Sequence, residues 1–545
     1  MTNVRSKQSF MRGAVILGAA GVIVKILGAF FRIPLANIIG DTGMAYYQTA
    51  YPVYVLLLAI STAGIPTAIA RLVSEKTADN NHREAWRVFR LSFALLAGIG
   101  LTTSLILFFG ASFFASFSSE QAVYSIRAIA PALLLISIMA AFRGYFQGLQ
   151  DMMPTAVSQV VEQFFRVASG LSLAVLLLPR GIPFAAAGAS FGAAAGGFFG
   201  LVVILFIYLR RRNTIRSSLE ITPPDASTQP SSLILKKIVI IAVPITIGAA
   251  VMPVMSNIDL LMVPSRLIYA GFSVEQANRL YGQLSGFSAP LINIPQILTQ
   301  SIALSLVPAI AAAHQTNDRD RLRSETELGL RMAMIVGFPC AAGMFALAKP
   351  LMMLLYASQK DSALSAAENL AVLAIGVVFL SSVQTLTGIL QGTGKQMIPV
   401  RNLAIGAVVK MSVTYSLNAN PSMNVKGAAA GTVAAYLTAS ILNMKAVRKN
   451  TGARFDFSLT FLKPGMAAAI MGLVAWLIWK SLSPAAGNTI GTGTAVLAGF
   501  FVYVFLILIF GAVTKEELGR LPGGKKLVKF IGISRISKRE RSGKK

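Results

Sequence analysis

The chain is a succession of apolar runs, each long enough to cross a lipid bilayer and separated by short polar breaks. The run from Leu91 to Phe114 carries no charge at its centre. About 20 such residues span the hydrocarbon core as a helix, and a helix satisfies its own backbone hydrogen bonds in lipid. Outer-membrane barrels alternate apolar and polar residues. These runs are apolar on every face, which points away from a barrel. Only 13% of the residues are charged, against about a quarter in a soluble domain. The expected fold class is therefore all-α, a polytopic membrane protein of about fourteen transmembrane helices.

Spans are expected near 13–39, 47–72, 88–115, 123–147, 155–178, 183–209, 236–263 and 280–313. Six more follow near 330–348, 366–390, 398–417, 427–447, 462–481 and 489–513. The first run begins near Gly13, continues past Leu35 and lacks a small-residue cleavage site, so it reads as a retained span rather than a signal peptide. Cys340 is the single cysteine, and the two histidines, His82 and His314, fall in expected loops. A Cys/His metal centre is not expected from that set.

The net charge of +28 raises the question of nucleic acid. Its distribution answers differently. Arg5, Lys7 and Arg12 precede span 1; Arg71, Lys76, Arg83, Arg87 and Arg90 follow span 2; Arg210, Arg211, Arg212, Arg216, Lys236 and Lys237 follow span 6. Later even-numbered breaks and the tail from Lys515 to Lys545 are basic as well, whereas Asp41 and Glu120 are the only charges in the first and third breaks. This alternation is the positive-inside pattern. It predicts an even number of spans, both termini in the cytoplasm, and anionic membrane lipids rather than nucleic acid as the partner of the basic loops. The tail itself reads as a basic, orienting segment.

The longest break, about 210–235, contains Thr222-Pro-Pro-Asp-Ala-Ser-Thr-Gln-Pro-Ser-Ser232 and reads as a flexible linker. An internal repeat supports a division there. The segment Arg143-Gly-Tyr-Phe-Gln-Gly148 resembles Thr387-Gly-Ile-Leu-Gln-Gly392, and each is followed by a proline, Pro154 and Pro399. Pro66 matches Pro308, Gly188 matches Gly427, and Gln147 matches Gln391. Six spans separate equivalent points, so the halves are parallel repeats. The expected organisation is an N-terminal lobe at 1–209, a linker at 210–235, a second lobe at 236–455, two extra spans at 456–513 and a tail at 514–545.

Charges inside the spans nominate a site. Lys25 and Arg32 lie seven residues apart on span 1 and so share a face; Glu162 and Arg166 on span 5 are spaced to pair. Asp259 lies on span 7 and Lys410 on span 11. A charge in hydrocarbon costs about 2.5–3.5 kcal/mol on insertion scales, so such residues face a bundle interior or a wet cavity. Lys25, Arg32, Glu162, Arg166 and Lys410 are the candidates for a cavity that holds an anionic group. Glu162 and Arg166 also fit a purely structural pair, and Arg32 and Lys410 also fit side chains that snorkel to an interface. Asp259 is the coupling-ion candidate, or else a partner for a cationic side chain. Gly188, Gly192, Gly196 and Gly200, with Gly427 and Gly431 in the second half, read as close helix packing. Gly392-Thr-Gly-Lys-Gln396 fails the phosphate-loop pattern and reads as a tight turn. No direct coupling to ATP is expected.

Four segments carry a family resemblance: Phe10 to Pro34, Ile39 to Gln48, Phe142 to Pro154, and Ser158 to Val167. They resemble the bacterial polysaccharide-biosynthesis membrane proteins, above all the stage V sporulation protein B group. That group belongs to the multidrug/oligosaccharidyl-lipid/polysaccharide (MOP) exporter superfamily and is related to the MurJ-type lipid II flippases. The resemblance implies two lobes and fourteen helices in a bacterial cytoplasmic membrane. It implies alternating access that moves an undecaprenyl-pyrophosphate-linked sugar, lipid II or a related lipid-linked oligosaccharide, from inner to outer leaflet. No cofactor is implied; an ion gradient or the membrane potential supplies the drive. It also implies that the last two helices help to form a groove for the lipid tail, and that basic residues on span 1 face the cavity. Lys25 and Arg32 match the latter pattern. A multidrug or cation antiporter on the same scaffold stays open, as do a polytopic glycosyltransferase and a membrane scaffold for wall synthesis. The sugar, the coupling ion and the oligomeric state stay unassigned.

Overall fold

The computed structural model describes residues 2–220 and 229–512. The middle of the expected linker, 221–228, and the basic tail from 513 lie outside the described residues. The first half of the chain forms α1 (Thr2–Thr62), α2 (Ile65–Ala78), α3 (His82–Phe109), α4 (Ala111–Ala115), α5 (Val123–Ile129), α6 (Pro131–Gly148), α7 (Met153–Leu177), α8 (Ile182–Arg210) and α9 (Arg212–Glu220). The second half forms α10 (Ser231–Tyr269), α11 (Val274–Gly282), α12 (Ala289–Gln315), α13 (Arg319–Ala346), α14 (Ala348–Leu355), α15 (Lys360–Gly392), α16 (Met397–Leu417), α17 (Lys426–Thr451) and α18 (Lys463–Ile509). Wider π-type turns at 283–288 and 458–462 lead into α12 and α18.

Among the described residues, 11 helical stretches are long and apolar enough to cross a membrane. Two of them are double. The stretch from Ile16 to Ala78 turns back at Gly40 (φ 66°), and the stretch from 458 to 509 turns back at Gly487 (φ 79°). The less apolar α17 packs along α15 and α16, and with it the spans number about fourteen. The sequence predicts breaks of several residues at 40–46 and 482–488. A single residue suffices in each case, because glycine enters the left-handed region without a Cβ penalty and the chain resumes a helix at once.

Packing groups the helices. The helix α1 lies with α3, α6, α7 and α8, while α12, α13, α15, α16 and α17 form a second set. The long helix α10 touches both α1 and α2 on one side and α16 on the other, and α18 lies against α13 and α14. At the charge-poor end, one buried cluster runs through both sets. It joins Leu35, Ile39 and Met44 to Tyr281, Phe287, Tyr356 and Ala366. At the basic end the second set keeps a separate cluster of its own, built on Leu306, Ile310, Leu330, Leu386 and Ile389. The two sets are thus welded at one end.

Prolines contribute to the weld. Pro52 inside α1 lacks an N–H and so leaves the Gln48 carbonyl without its helical donor; the Tyr281 hydroxyl donates to that carbonyl at 3.1 Å. Pro339 inside α13 frees the Ile335 carbonyl in the same way, and the Tyr503 hydroxyl of α18 donates to it at 2.8 Å. In lipid such freed groups must find a partner. Here they serve as docking points between helices.

Gly282 sits where a Cβ would run into the Asp41 carbonyl oxygen and lie 3.1 Å from the Ala45 nitrogen. Gly282→Ala is expected to lower stability by about 1–3 kcal/mol. Gly98→Ala, with nothing within 4 Å of the new methyl, is expected to leave it unchanged. Thermal unfolding in lipid nanodiscs measures both, and equal melting temperatures would contradict the weld.

Candidate functional site

The site is set by how closely α8 approaches α7. Gly188, Gly192, Gly196 and Gly200 present a bare stripe on α8. A Cβ at Gly192 would lie 2.8 Å from the Gly170 Cα, one at Gly196 would strike the Glu162 carbonyl, and one at Gly200 would lie 3.1 Å from the Glu162 Cβ. The backbones touch, as the spacing predicts for packing. The second half repeats the device: a Cβ at Gly431 on α17 would meet Thr414 and, at 3.1 Å, the Lys410 carbonyl of α16. In both halves, small residues fix the helix that carries the intramembrane charges.

Glu162 is held between two guanidinium groups. Arg166 donates to one carboxylate oxygen and Arg143 of α6 to the other, each at 3.0 Å. Arg143 also donates to the Ser158 hydroxyl at 2.9 Å, and Arg166 to the Tyr54 hydroxyl at 3.3 Å. The pairing of Glu162 with Arg166 follows from their spacing. Arg143 appears in the sequence as part of a repeat, and nothing in its spacing marks it as a second partner. The cluster carries one net positive charge.

Arg166 faces a chamber of about 360 Å³ between α1, α7 and α12, which Lys25 and Arg32 also line. Arg32 lies over the Tyr51 ring, 5.2 Å from its centroid, and Lys25 is exposed. Among the described residues, no carboxylate lies within ion-pair distance of either. The chamber therefore gathers three cations against one shared carboxylate. Its remaining polar wall is uncharged: Gln163, Asn293, Gln296 and Gln300. Sequence reasoning missed these amides. Asn293, Gln296 and Gln300 stand at i, i+3 and i+7, one face of a helix, and that spacing was available in the sequence.

Lys410 is placed differently. It borders a smaller chamber of about 200 Å³, together with Arg32, Tyr51 and Asp259. Its ammonium lies 2.6 Å from an Asp259 carboxylate oxygen and 3.1 Å from the Met255 carbonyl. In this conformation Asp259 is the partner of a cationic side chain, and Lys410 brings no net charge to the cavity. The other Asp259 oxygen is buried without a hydrogen-bond partner. Among the described residues, no group of three or more His, Cys, Asp or Glu could hold a metal ion. A third chamber, of about 830 Å³, lies between α10, α12, α15 and α16 and shares Gln296 and Gln300 with the first.

The charge-poor end closes over these chambers through Asp41, which is 5% exposed. The carboxylate accepts from the Gln283 amide at 2.9 Å and the Ser362 hydroxyl at 2.8 Å, with the Arg279 guanidinium at 3.4 Å. Asn278 pairs with Ser118, and Asn37 donates to the Leu355 carbonyl at 2.8 Å. Every one of these bonds joins the first half of the chain to the second.

Comparison with known proteins fits this architecture. A family model described as polysaccharide biosynthesis protein matches residues 10–314, and one described as MatE matches 285–416. The stage V sporulation protein B of Bacillus subtilis (strain 168) is 28% identical over 522 residues, covering 95% of this chain and 98% of its own. The lipid II flippase MurJ of the same organism is 28% identical over 536 residues, covering 94% and 97%. A solved structure of lipid II flippase MurJ in an inward closed conformation superposes with a TM-score of 0.68 at 16% identity, covering 91% of this chain and 98% of that one. That last likeness is one of fold.

Glu162→Gln would leave Arg143 and Arg166 facing each other without a carboxylate. Breaking a buried pair from one side costs about 3–5 kcal/mol, so the variant is expected to unfold at a distinctly lower temperature. Glu75→Gln, which breaks the exposed Arg71 pair at 2.8 Å, is expected to be silent. Equal melting curves for both variants would show that the Glu162 cluster is not holding the helices.

Proposed function

The chain belongs to the polysaccharide biosynthesis protein family and is a transporter or flippase of the MOP superfamily; from that premise we propose that it carries a polyprenyl-pyrophosphate-linked cell-wall precursor from the inner to the outer leaflet by alternating access. The observation that carries this reading is the pair of unneutralised cations, Lys25 and Arg32, in a chamber within the spans. Each costs about 2.5–3.5 kcal/mol at the centre of a membrane. A phosphate at about 4 Å, in a medium of effective dielectric near 20, returns about 4 kcal/mol. The two magnitudes match, so an anionic cargo offsets what the empty chamber costs.

The positive-inside rule puts the basic end in the cytoplasm. With the charge-poor end held by Asp41, this conformation receives cargo from the inner leaflet. Opening the other way requires the Asp41 bonds to part. A pyrophosphate head on a prenyl tail also needs an apolar seat. One candidate is a groove of about 960 Å³ along α13, α15, α17 and the first half of α18, lined by Phe338, Phe345, Phe379, Leu437 and Trp476. Its serines, Ser382 and Ser440, bond each other at 2.8 Å and leave the groove apolar. The cargo crosses without any bond being broken.

The MatE match over 285–416 favours a second reading, a multidrug or cation antiporter on the same fold. That activity needs a cavity carboxylate to take up a cation. Both candidates are engaged here, Glu162 by two arginines and Asp259 by Lys410. The flippase reading uses the charges that remain free.

Binding of undecaprenyl pyrophosphate to the protein in nanodiscs tests the proposal. Lys25→Ala and Arg32→Ala each remove a charge-assisted contact of about 1.5–3 kcal/mol, so each is expected to weaken binding by roughly tenfold or more. Unchanged affinity in both variants would contradict it.

A further inference from the structure

The chamber of about 830 Å³ adjoins the smaller cationic chamber, and a pyrophosphate does not need it. Its wall has an unusual composition for a membrane interior. Gln296 and Gln300 on α12 face Gln384, Thr387 and Gln391 on α15. On α15 the three stand at i, i+3 and i+7, the same face-forming spacing as Asn293, Gln296 and Gln300 on α12. Two polar rows thus lie side by side on helices in direct contact, where a Cβ at Gly388 would come within 2.8 Å of the Ala303 carbonyl. Polar side chains inside a membrane are costly and act as glue between helices or as a site. As glue these rows are poorly used. Thr299 bonds Gln384, and Gln296 donates to Asn293 at 2.8 Å, while Gln300, Thr387 and Gln391 make no side-chain hydrogen bond to the described residues. The rows face the chamber with amide and hydroxyl groups that both donate and accept.

The charge pattern sharpens this. No carboxylate lines the chamber, and its one cation, Lys395, is exposed. The internal repeat places Thr387 at the position of Arg143 and Gln391 at that of Gln147. The first half therefore puts a guanidinium where the second puts a hydroxyl. The rest of the wall is largely apolar, with Ile245 and Met252 from α10, Val307 from α12 and Leu403 from α16. Sugar rings present the same combination, with hydroxyl and acetamido groups around the rim and C–H faces above and below. A volume of this size lies within the usual range for ligand sites.

We propose that this chamber is a saccharide subsite, in which the paired polar rows of α12 and α15 hold an uncharged glycan while the wall of Lys25, Arg32 and Arg166 holds the pyrophosphate. The inference rests on the flippase reading above and names the part of the cargo that the second half of the chain recognises. Gln296 and Gln300 border both spaces, so the sugar attached to the pyrophosphate enters the amide-lined chamber directly. Selection then falls on hydrogen-bonding shape in one half and on charge in the other.

The test compares two probes bound to full-length protein in nanodiscs: undecaprenyl pyrophosphate, and the same lipid bearing an uncharged disaccharide. Two or three added hydrogen bonds of about 1 kcal/mol each make the sugar-bearing probe bind tighter by roughly thirty- to a hundredfold. In the double variant Gln384→Leu/Thr387→Val, which keeps side-chain volume, this advantage is expected to vanish while affinity for the bare lipid stays unchanged. Lys25→Ala is expected to weaken both probes alike. If the wild type binds the two probes equally, or the double variant keeps the full advantage, the subsite is overturned and the flippase reading stands. If the wild type binds neither probe, both fall together.

Discussion

A charge in hydrocarbon must find a partner or a wet cavity, and the arrangement of this molecule follows from how its intramembrane ionisable side chains meet that demand. Glu162 takes two arginines, and Asp259 takes Lys410. Lys25 and Arg32 have no such partner among the described residues, and the helices around them leave a chamber instead of closing. The glycine stripe of α8 presses α7 into place behind the chamber, and α17 does the same for the helix that carries Lys410. The packing of both halves places the neutralised pairs, and the free cations line the chamber left beside them.

The opposite end obeys a different rule. There the interface is apolar, stitched by hydrogen bonds to groups that proline and glycine make available. Pro52 frees the carbonyl that Tyr281 uses, and Gly282 lets its helix lie against the backbone at Asp41. A weld of modest hydrogen bonds, each contributing about 1 kcal/mol, is strong enough to hold one state and weak enough to be parted. That balance suits the gate of the proposed alternating-access cycle, and the buried Asp41 carboxylate is correspondingly shared among several helices rather than locked to one cation.

Much of this was legible in the sequence because membrane helices announce themselves through long apolar runs, and because residues four apart on a helix meet. The Glu162–Arg166 pair and the close approach of α8 are of that kind. Contacts between distant segments were not legible. Arg143 reaches Glu162 across 19 residues and Lys410 reaches Asp259 across 151, and spacing carries no information about either. Single-residue turns at Gly40 and Gly487 look like loops in the sequence, because a left-handed glycine has no mark distinguishing it from any other glycine near a helix end. The polar rows on α12 and α15 stand between these cases. Their period is plain in the sequence, yet an amide among apolar residues carries a weaker signal than a charge, because its cost in lipid is smaller.

In the proposed function, a lipid with an anionic, sugar-bearing head passes through the chamber between the two halves. Leaflet transfer measures that directly. Purified protein is reconstituted into liposomes with a fluorescent undecaprenyl-pyrophosphate-linked disaccharide, and a membrane-impermeant quencher reports how much lies in each leaflet while an ion gradient or a membrane potential is imposed. A flippase of this kind gives protein-dependent transfer well above that of protein-free vesicles. Transfer at the protein-free rate under every imposed gradient and potential would contradict the proposed function.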